Sequence, residues 1–96
     1  MGPDEERAVQ VALDDLRLSL GGDFDESELR GTRVEVRPSA SGWLVIFYGS
    51  AVARGLFFAP ALYACVERTG WIVTKRGAAT PESDWQPCDE SGPRGD

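Results

Sequence analysis

The chain contains no histidine, no asparagine and only one lysine among its 96 residues. Without histidine it cannot form a Ser-His-Asp triad, a Cys-His dyad or a zinc site with an imidazole ligand. Its two cysteines are too few for a four-cysteine metal site or for a framework of several disulfides. No glycine-rich phosphate-binding motif is present. We therefore expect a protein that is not an enzyme and that uses no metal and no cofactor.

The scarcity of lysine against nine arginines, together with the absence of asparagine, is typical of a GC-rich genome and suggests a bacterial source. The first residues include no basic stretch followed by an apolar one, so the sequence predicts no signal peptide. These features predict a cytoplasmic protein with reduced cysteines. A Cys65–Cys88 disulfide is geometrically possible, but a cytoplasmic location does not favour it.

The longest weakly charged stretch of the sequence is residues 42–66, in which Arg54 is the only charged residue. The run is long enough to cross a bilayer. However, Arg54 would lie near the bilayer centre at a cost of about 2.5–3.5 kcal/mol, and Pro60 and three glycines interrupt a helix. Two strands, a turn and a buried helix explain the run better, so we predict no membrane span.

The first element predicted is a helix over residues 4–20, ended by Gly21-Gly22. Its apolar residues recur with helical spacing on one face, and three acidic residues occupy its first turn, where the helix dipole favours negative charge. The acidic run that follows lacks the glycine and the final glutamate of a calcium-binding loop. It is predicted to be a solvated loop over residues 23–31, with Phe24 and Leu29 turned into the core.

Two strands over residues 33–38 and 43–48 are predicted to form a hairpin. The first alternates apolar and polar residues, whereas the second is apolar on both faces and should be central in a sheet. The elements predicted after it are a third strand over 54–59, a helix over 60–69 and a last strand over 71–76.

The resulting order is α-β-β-(β)-α-β. It predicts an α+β fold with a small antiparallel sheet of three or four strands and two helices packed on one face. Residues 1–77 are expected to form one domain. Residues 78–96 are expected to form an acidic tail rich in proline and glycine, flexible unless Trp85 pins it to the domain.

Charge is distributed unevenly, with net values of −6 for residues 1–30, +4 for residues 31–77 and −4 for residues 78–96. A basic sheet is thus predicted between acidic flanks, with Arg33, Arg37, Lys75 and Arg76 as its cations. Three interpretations remain open: the sheet binds nucleic acid, the acidic tail folds over it, or either the sheet or the acidic first helix meets an oppositely charged partner protein.

Two further features are candidate contact points for a partner. Val11 and Leu18 lie seven residues apart and opposite the main apolar stripe of the first helix, where they are either single surface residues or a docking seam. Trp43 and Trp71 are predicted to be core residues. Trp85 lies in a short acidic stretch that either docks on another protein or packs back on its own domain.

The order of elements is similar to that of secretion-chaperone-like and small toxin-immunity domains. The resemblance covers element order alone, and fold does not imply function. The sequence therefore predicts a small non-catalytic interaction module, of an adaptor, chaperone-like or immunity type, that binds another protein or itself. The alternative is a domain that binds nucleic acid or another anionic ligand through the basic sheet face.

Overall fold

A computed structural model describes residues 2–31, 33–49 and 51–89. Within these ranges the chain forms three α-helices, four strands and two short 3₁₀ turns. The elements in chain order are α1 Pro3–Leu20, a 3₁₀ turn Gly21–Asp23, α2 Glu26–Gly31, β1 Arg33–Pro38, β2 Gly42–Tyr48, α3 Ala51–Phe57, β3 Ala61–Glu67, β4 Ile72–Ala79 and a 3₁₀ turn Pro87–Asp89. The α+β class predicted from the sequence is confirmed. In this part of the chain, no helix is both long and apolar enough to cross a bilayer.

The four strands form one antiparallel sheet in the order β1-β2-β3-β4. The predicted hairpin of β1 and β2 is confirmed, with Val36 opposite Val45, and β2 is an inner strand as predicted. Between β3 and β4 the register shifts, so that Lys75 lies opposite Cys65 but Val73 lies opposite Val66. The extra residue in β4, Thr74, forms a β-bulge.

The predicted first helix is confirmed as α1, with acidic residues in its first turn. Gly21 follows it with a φ of 58°, a conformation that glycine adopts with little strain. The apolar stripe of α1 packs on one face of the sheet, here called the first face, in a common core cluster with Leu29 of α2 and Ala53 of α3. The buried α1 residues are Ala8, Val9, Ala12, Leu13 and Leu16.

The opposite side of the sheet, here called the second face, is also buried. Its fully or almost fully buried residues are Leu44, Ile46, Ala61, Tyr63 and Cys65. Residues 80–89, here called the strap, pack against it through Trp85 and Cys88. Part of the predicted tail is thus in contact with the domain, and the predicted boundary after residue 77 falls inside β4. The rest of that tail, residues 90–96, lies outside the described residues.

Three predicted elements are wrong. Residues 26–31 of the expected acidic loop form the short helix α2, although Leu29 is buried as predicted. The expected third strand over 54–59 is instead occupied largely by α3, and the expected helix over 60–69 is strand β3. The order of elements is therefore α-α-β-β-α-β-β.

The error at β3 arises because this strand is covered on both faces. Leu62, Ala64 and Val66 belong to the first-face cluster. Ala61, Tyr63 and Cys65 belong to the second-face cluster. A strand buried on both sides reads as a continuous apolar run, which periodicity cannot distinguish from a buried helix. Pro60 fits the start of a strand as well as the start of a helix.

Gly42 and Gly55 offer a matched pair of alanine substitutions. A Cβ at Gly42 would collide with the backbone carbonyl of Val66 and approach the Arg68 nitrogen to 2.8 Å, whereas a Cβ at Gly55 meets nothing within 4 Å. Because backbone atoms cannot rotate away, we expect Gly42→Ala to destabilise the fold by about 2 kcal/mol. Gly55→Ala, in an exposed helix position, should instead stabilise it by about 0.5–1 kcal/mol. Urea denaturation of both variants measures the difference, and equal midpoints would contradict the packing described.

Candidate partner-binding site

A hydrogen-bonded cluster of three side chains from β1 and β2 lies at the edge of the second face. The Tyr48 hydroxyl donates to Glu35 Oε1 at 2.7 Å, and Arg37 Nε donates to Glu35 Oε2 at 2.7 Å. Arg37 also donates through Nη2 to the Tyr48 oxygen at 3.2 Å. All three residues come from the hairpin and join its two strands through side chains as well as backbone.

The hydrogen bonds in this cluster fix its protonation state. The bond from Arg37, followed by the bond from Tyr48, holds the pKa of Glu35 below its ordinary value of 4.5. The bond to Glu35 raises the pKa of Arg37. Burial, followed by the bond to Glu35, raises the pKa of Tyr48 above 10.0. At neutral pH the cluster is a carboxylate held by a guanidinium and a neutral phenol, with no group poised to exchange a proton.

Glu35→Gln tests the electrostatic part of this cluster. Because the folded state lowers the Glu35 pKa, the unfolded chain takes up the Glu35 proton near the ordinary carboxyl pKa of 4.5, whereas the folded chain takes it up only at a lower pH. The stabilisation is complete above about pH 4.5 and is lost as the pH falls through the folded-state pKa. We expect Glu35→Gln to reduce stability by about 1 kcal/mol at pH 7 and by progressively less toward pH 3. Urea unfolding across this range measures it, with Asp84→Asn, at an exposed strap position, as the control. A loss of stability in Glu35→Gln that does not change with pH would contradict the lowered pKa of Glu35.

The four predicted cations do not form one basic surface. Arg33 lies beside Glu35 at 3.6 Å, with its guanidinium 4.4 Å from the centre of the Tyr48 ring. Arg37 has only 15% of its side chain exposed and bonds to the strap. Lys75 lies opposite Cys65, on the second-face side of β4. Arg76 lies opposite Ala64, and two of its nitrogens donate to the Asp15 carboxylate of α1. The predicted set is thus divided between two faces, and three of its members are engaged with carboxylates.

The remaining predicted contact residues also differ in exposure. Val11, for which both a single surface position and a seam with Leu18 were open, is half-buried and packs against the first-face cluster. Leu18 is 86% exposed. Trp85 is half-buried, with its ring edge-on to Tyr63 at a centroid distance of 4.9 Å. Of the two open interpretations of Trp85, the structure shows packing on its own domain.

The two other tryptophans lie where the sequence places them. Trp43 is buried and Trp71 is half-buried, and their rings stack at a centroid distance of 4.8 Å. Arg7 of α1 covers Trp71 at 4.3 Å from the ring centre, and Arg68 covers Trp43 at 4.9 Å. This stack joins the start of α1 to the β3–β4 turn, so it stabilises the fold.

The expectation of two reduced cysteines is wrong for this structure. Cys65 of β3 and Cys88 of the strap are disulfide-bonded, with Cα atoms 5.6 Å apart. The sequence predicts Cys65 in a helix, in which its side chain would point in a different direction. In strand β3 the side chain points to the second face, where Cys88 lies. No group of three or more cysteine, aspartate or glutamate side chains in the described ranges is arranged to hold a metal ion.

An exposed apolar surface that the sequence interpretation missed lies at the end of α3. We call it the α3 patch; its members are Leu56, Phe57 and Phe58, which are 51%, 49% and 91% exposed. Phe58 has a φ of 53°, in the left-handed region that favours glycine. The Ala59 amide donates back to the Ala53 carbonyl at 3.1 Å, which holds the chain in this bend. The available signal is the run of three consecutive large apolar residues, which by itself predicts a strand.

The α3 patch adjoins a pocket of about 240 Å³. Phe57 belongs to both, so the patch and the pocket form one continuous surface. The pocket is lined by Leu16, Ser19, Leu20, Phe57, Leu62, Arg76 and Gly77. Apolar side chains from α1, α3 and β3 form most of its wall, and Arg76 and Ser19 supply its polar groups.

Helix α3 is held in place by a contact distant in sequence. The carboxylate of Glu28 in α2 accepts a hydrogen bond from the Ala51 amide at 3.1 Å, at the first residue of α3. Ala53, two residues later, is completely buried against the core. Arg54 donates to the Gly49 carbonyl at 2.9 Å. These contacts fix the orientation of α3, so the patch is presented by an anchored element.

Comparison of the chain with protein-family models, curated proteins and solved structures returns no match.

Proposed function

We propose that this chain is a small non-catalytic protein–protein interaction module that docks a partner through the α3 patch and the adjoining pocket. The observation that carries the proposal is the exposure of Phe58 on a strained backbone. A non-glycine residue in the left-handed region costs about 1–3 kcal/mol, and such strain is concentrated at functional sites. Single exposed apolar residues are ordinary, but three in succession beside an apolar pocket form a contiguous surface.

The partner that fits this surface is a segment of another protein with one large apolar side chain and acidic neighbours. The pocket accepts an apolar group, and the α3 patch provides aromatic contact area around it. Arg54 lies in the same short helix as the patch, and Arg76 lines the pocket. Arg76 is already bonded to the Asp15 carboxylate, whereas the Arg54 guanidinium donates to a backbone carbonyl, that of Gly49. Arg54 is therefore the cation that favours a carboxylate on the incoming segment.

A second copy of the chain is the less favoured occupant. Each copy has a net charge of −6, so two copies repel each other. The three patch side chains would also bury much less than the roughly 1,200–2,000 Å² of a stable interface. A homodimer would need a further surface, which the proposal does not require.

The alternative of nucleic-acid binding receives no support from the arrangement of the cations. A phosphate-binding surface needs several cations free to neutralise successive phosphates. Here Arg37 and Arg76 already bond to Glu35 and Asp15, on opposite sides of the sheet.

The predicted cytoplasmic location depends on the start of the sequence and on reduced cysteines. The disulfide of Cys65 and Cys88 favours an oxidising compartment instead, because thiols in the cytosol are kept reduced. The docking surface itself contains neither cysteine, so the proposed function holds in either compartment.

Site-specific photo-crosslinking tests the proposal. A benzoylphenylalanine is placed at position 58, with matched probes at Leu18 and Ile72, two exposed apolar residues outside the patch. After irradiation in the source cell, we expect one predominant crosslinked protein from position 58 and none from the two controls. Equal capture from all three positions, or capture only of a second copy of the chain, would refute the proposed partner.

A further inference from the structure

The strap is the only segment in the described ranges that lies over the second face without being part of the sheet. None of its residues belongs to a strand. It is joined to β3 covalently, through the bond between Cys65 and Cys88. Trp85 of the strap packs edge-on against Tyr63 of the same strand.

The hydrogen bonds between nitrogen and oxygen atoms that join the strap to the hairpin are few. Arg37 Nη1 donates to the carbonyls of Glu82 and Trp85 at 2.7 and 2.8 Å. Gln86 donates to the Pro38 carbonyl at 2.8 Å. The Asp89 carboxylate accepts a bond from the Ala40 amide at 2.8 Å. Three of these four links are at exposed positions, where water competes with them.

The composition of the strap does not favour stable packing on its own. Residues 82–84 are exposed, and only Pro87 is fully buried. The strap carries three acidic residues and no basic one, and Arg37 binds it through two backbone carbonyls rather than through a carboxylate. Ordering a segment of this length costs conformational entropy, which offsets the free energy gained from its few contacts. The covalent bond lowers this cost because it keeps the strap close to the sheet.

What the strap covers is an apolar surface of the central strands. Leu44 and Ile46 have no exposed area, and Tyr63 is 9% exposed. All three belong to the cluster that Trp85 and Cys88 complete. Removal of the strap would expose a contiguous aliphatic and aromatic face of β2 and β3.

We infer that the Cys65–Cys88 disulfide is a redox-operated latch that keeps the strap closed over the second face. The inference concerns a surface on the opposite side of the sheet from the α1 core, so it goes beyond the proposed function. In an oxidising compartment the strap is closed. When a dithiol reduces the bond, the strap opens and the second face is uncovered.

The reduction step is a thiol–disulfide exchange. A thiolate of the dithiol attacks Sγ of Cys88, which is the less buried of the two cysteines, and the bond to Cys65 breaks. Cys65 leaves as a thiolate and takes a proton. The second thiol of the reductant then attacks the mixed disulfide and releases Cys88 as a thiol. The dithiol supplies two electrons and two protons and ends as a disulfide.

Hydrogen–deuterium exchange of the full chain, with and without dithiothreitol, tests the latch. On reduction we expect exchange at Ala40 and across residues 82–89 to accelerate at least about tenfold, while the paired amides of β2 and β3 remain protected. Unchanged exchange in the strap would overturn the inference, because the disulfide would then only reinforce a closed strap. Loss of protection throughout the sheet would also overturn it, because the bond would then support the whole fold.

Cys88→Ala provides a second test that needs no reductant. This variant leaves the buried Cys65 side chain in place, and its strap should exchange rapidly in both buffers. It should also bind an apolar dye such as anilinonaphthalene sulfonate more strongly than the oxidised chain. A Cys88→Ala strap that exchanges as slowly as that of the oxidised chain would contradict the latch.

Discussion

Phe58→Asn is expected to lose partner binding while gaining stability. Asparagine adopts the left-handed conformation more readily than phenylalanine, so the substitution relieves strain at a φ of 53°. The side chain is 91% exposed, so almost no packing is lost in the isolated chain. We expect a gain of about 1 kcal/mol, which raises Tm by roughly 4–8 °C in a chain of this size.

The loss of binding should be large, because Phe58 is the most exposed aromatic side chain of the α3 patch. Truncation of an aromatic anchor at an interface commonly costs about 2 kcal/mol or more, which corresponds to roughly a 30-fold weaker Kd. Calorimetric titration with the crosslinked partner measures this change, and thermal denaturation measures stability. Ile72→Asn, at an exposed apolar position outside the patch, is the matched control and should bind as the wild type does. Stronger or equal binding by Phe58→Asn would refute the docking role of Phe58.

Arg37→Leu is expected to give the largest loss of stability, about 3 kcal/mol. The substitution removes the guanidinium that bonds to Glu35, and it leaves the carbonyls of Glu82 and Trp85 without their donor. Arg37 has only 15% of its side chain exposed, so water poorly replaces its part-buried bonds to Glu35 and to the Trp85 carbonyl.

Arg33→Leu is the matched control, since it lies in the same strand and also neighbours Glu35. Its side chain is 72% exposed, and an exposed ion pair contributes at most about 1 kcal/mol. Urea unfolding of both variants at pH 7 gives the comparison. If the two variants were destabilised equally, the bonds from Arg37 to Glu35 and to the strap would not stabilise the fold as described.

The part of the fold that the sequence could predict is the part with a local signal. Helix α1 has a one-sided apolar stripe, and the β1–β2 hairpin has an alternating strand followed by a turn. Helix α3 has no such signal. Its first amide bonds to Glu28, which lies 23 residues earlier in the sequence, and this contact exists only in the folded chain. The identity of β3 as a strand likewise depends on cover from both faces, one of them supplied by the strap.

The same limit applies to the candidate site. A count of charges predicted a basic sheet with an acidic flank, and one of the open interpretations was that the tail folds over it. The structure places the strap on Arg37 in agreement with that interpretation. Lys75 and Arg76 are neighbours in β4, so they point to opposite faces of the sheet, and this alternation already separates two of the four predicted cations. The bond from Arg76 to Asp15 of α1 depends on the packing of the helix on the sheet, which has no local signal. The exposure of Phe58 depends on the turn after α3, which was assigned to a strand.

The most direct test of the docking surface is hydrogen exchange of the chain bound to the captured partner. The proposed function predicts slower exchange on binding at residues 53–59 and at the end of α1, near Leu16 and Leu20. It predicts no change in β1 or in the strap of the oxidised chain. Protection confined to β1 and residues 80–89, with residues 53–59 unchanged, would contradict the account and move the interface to the second face.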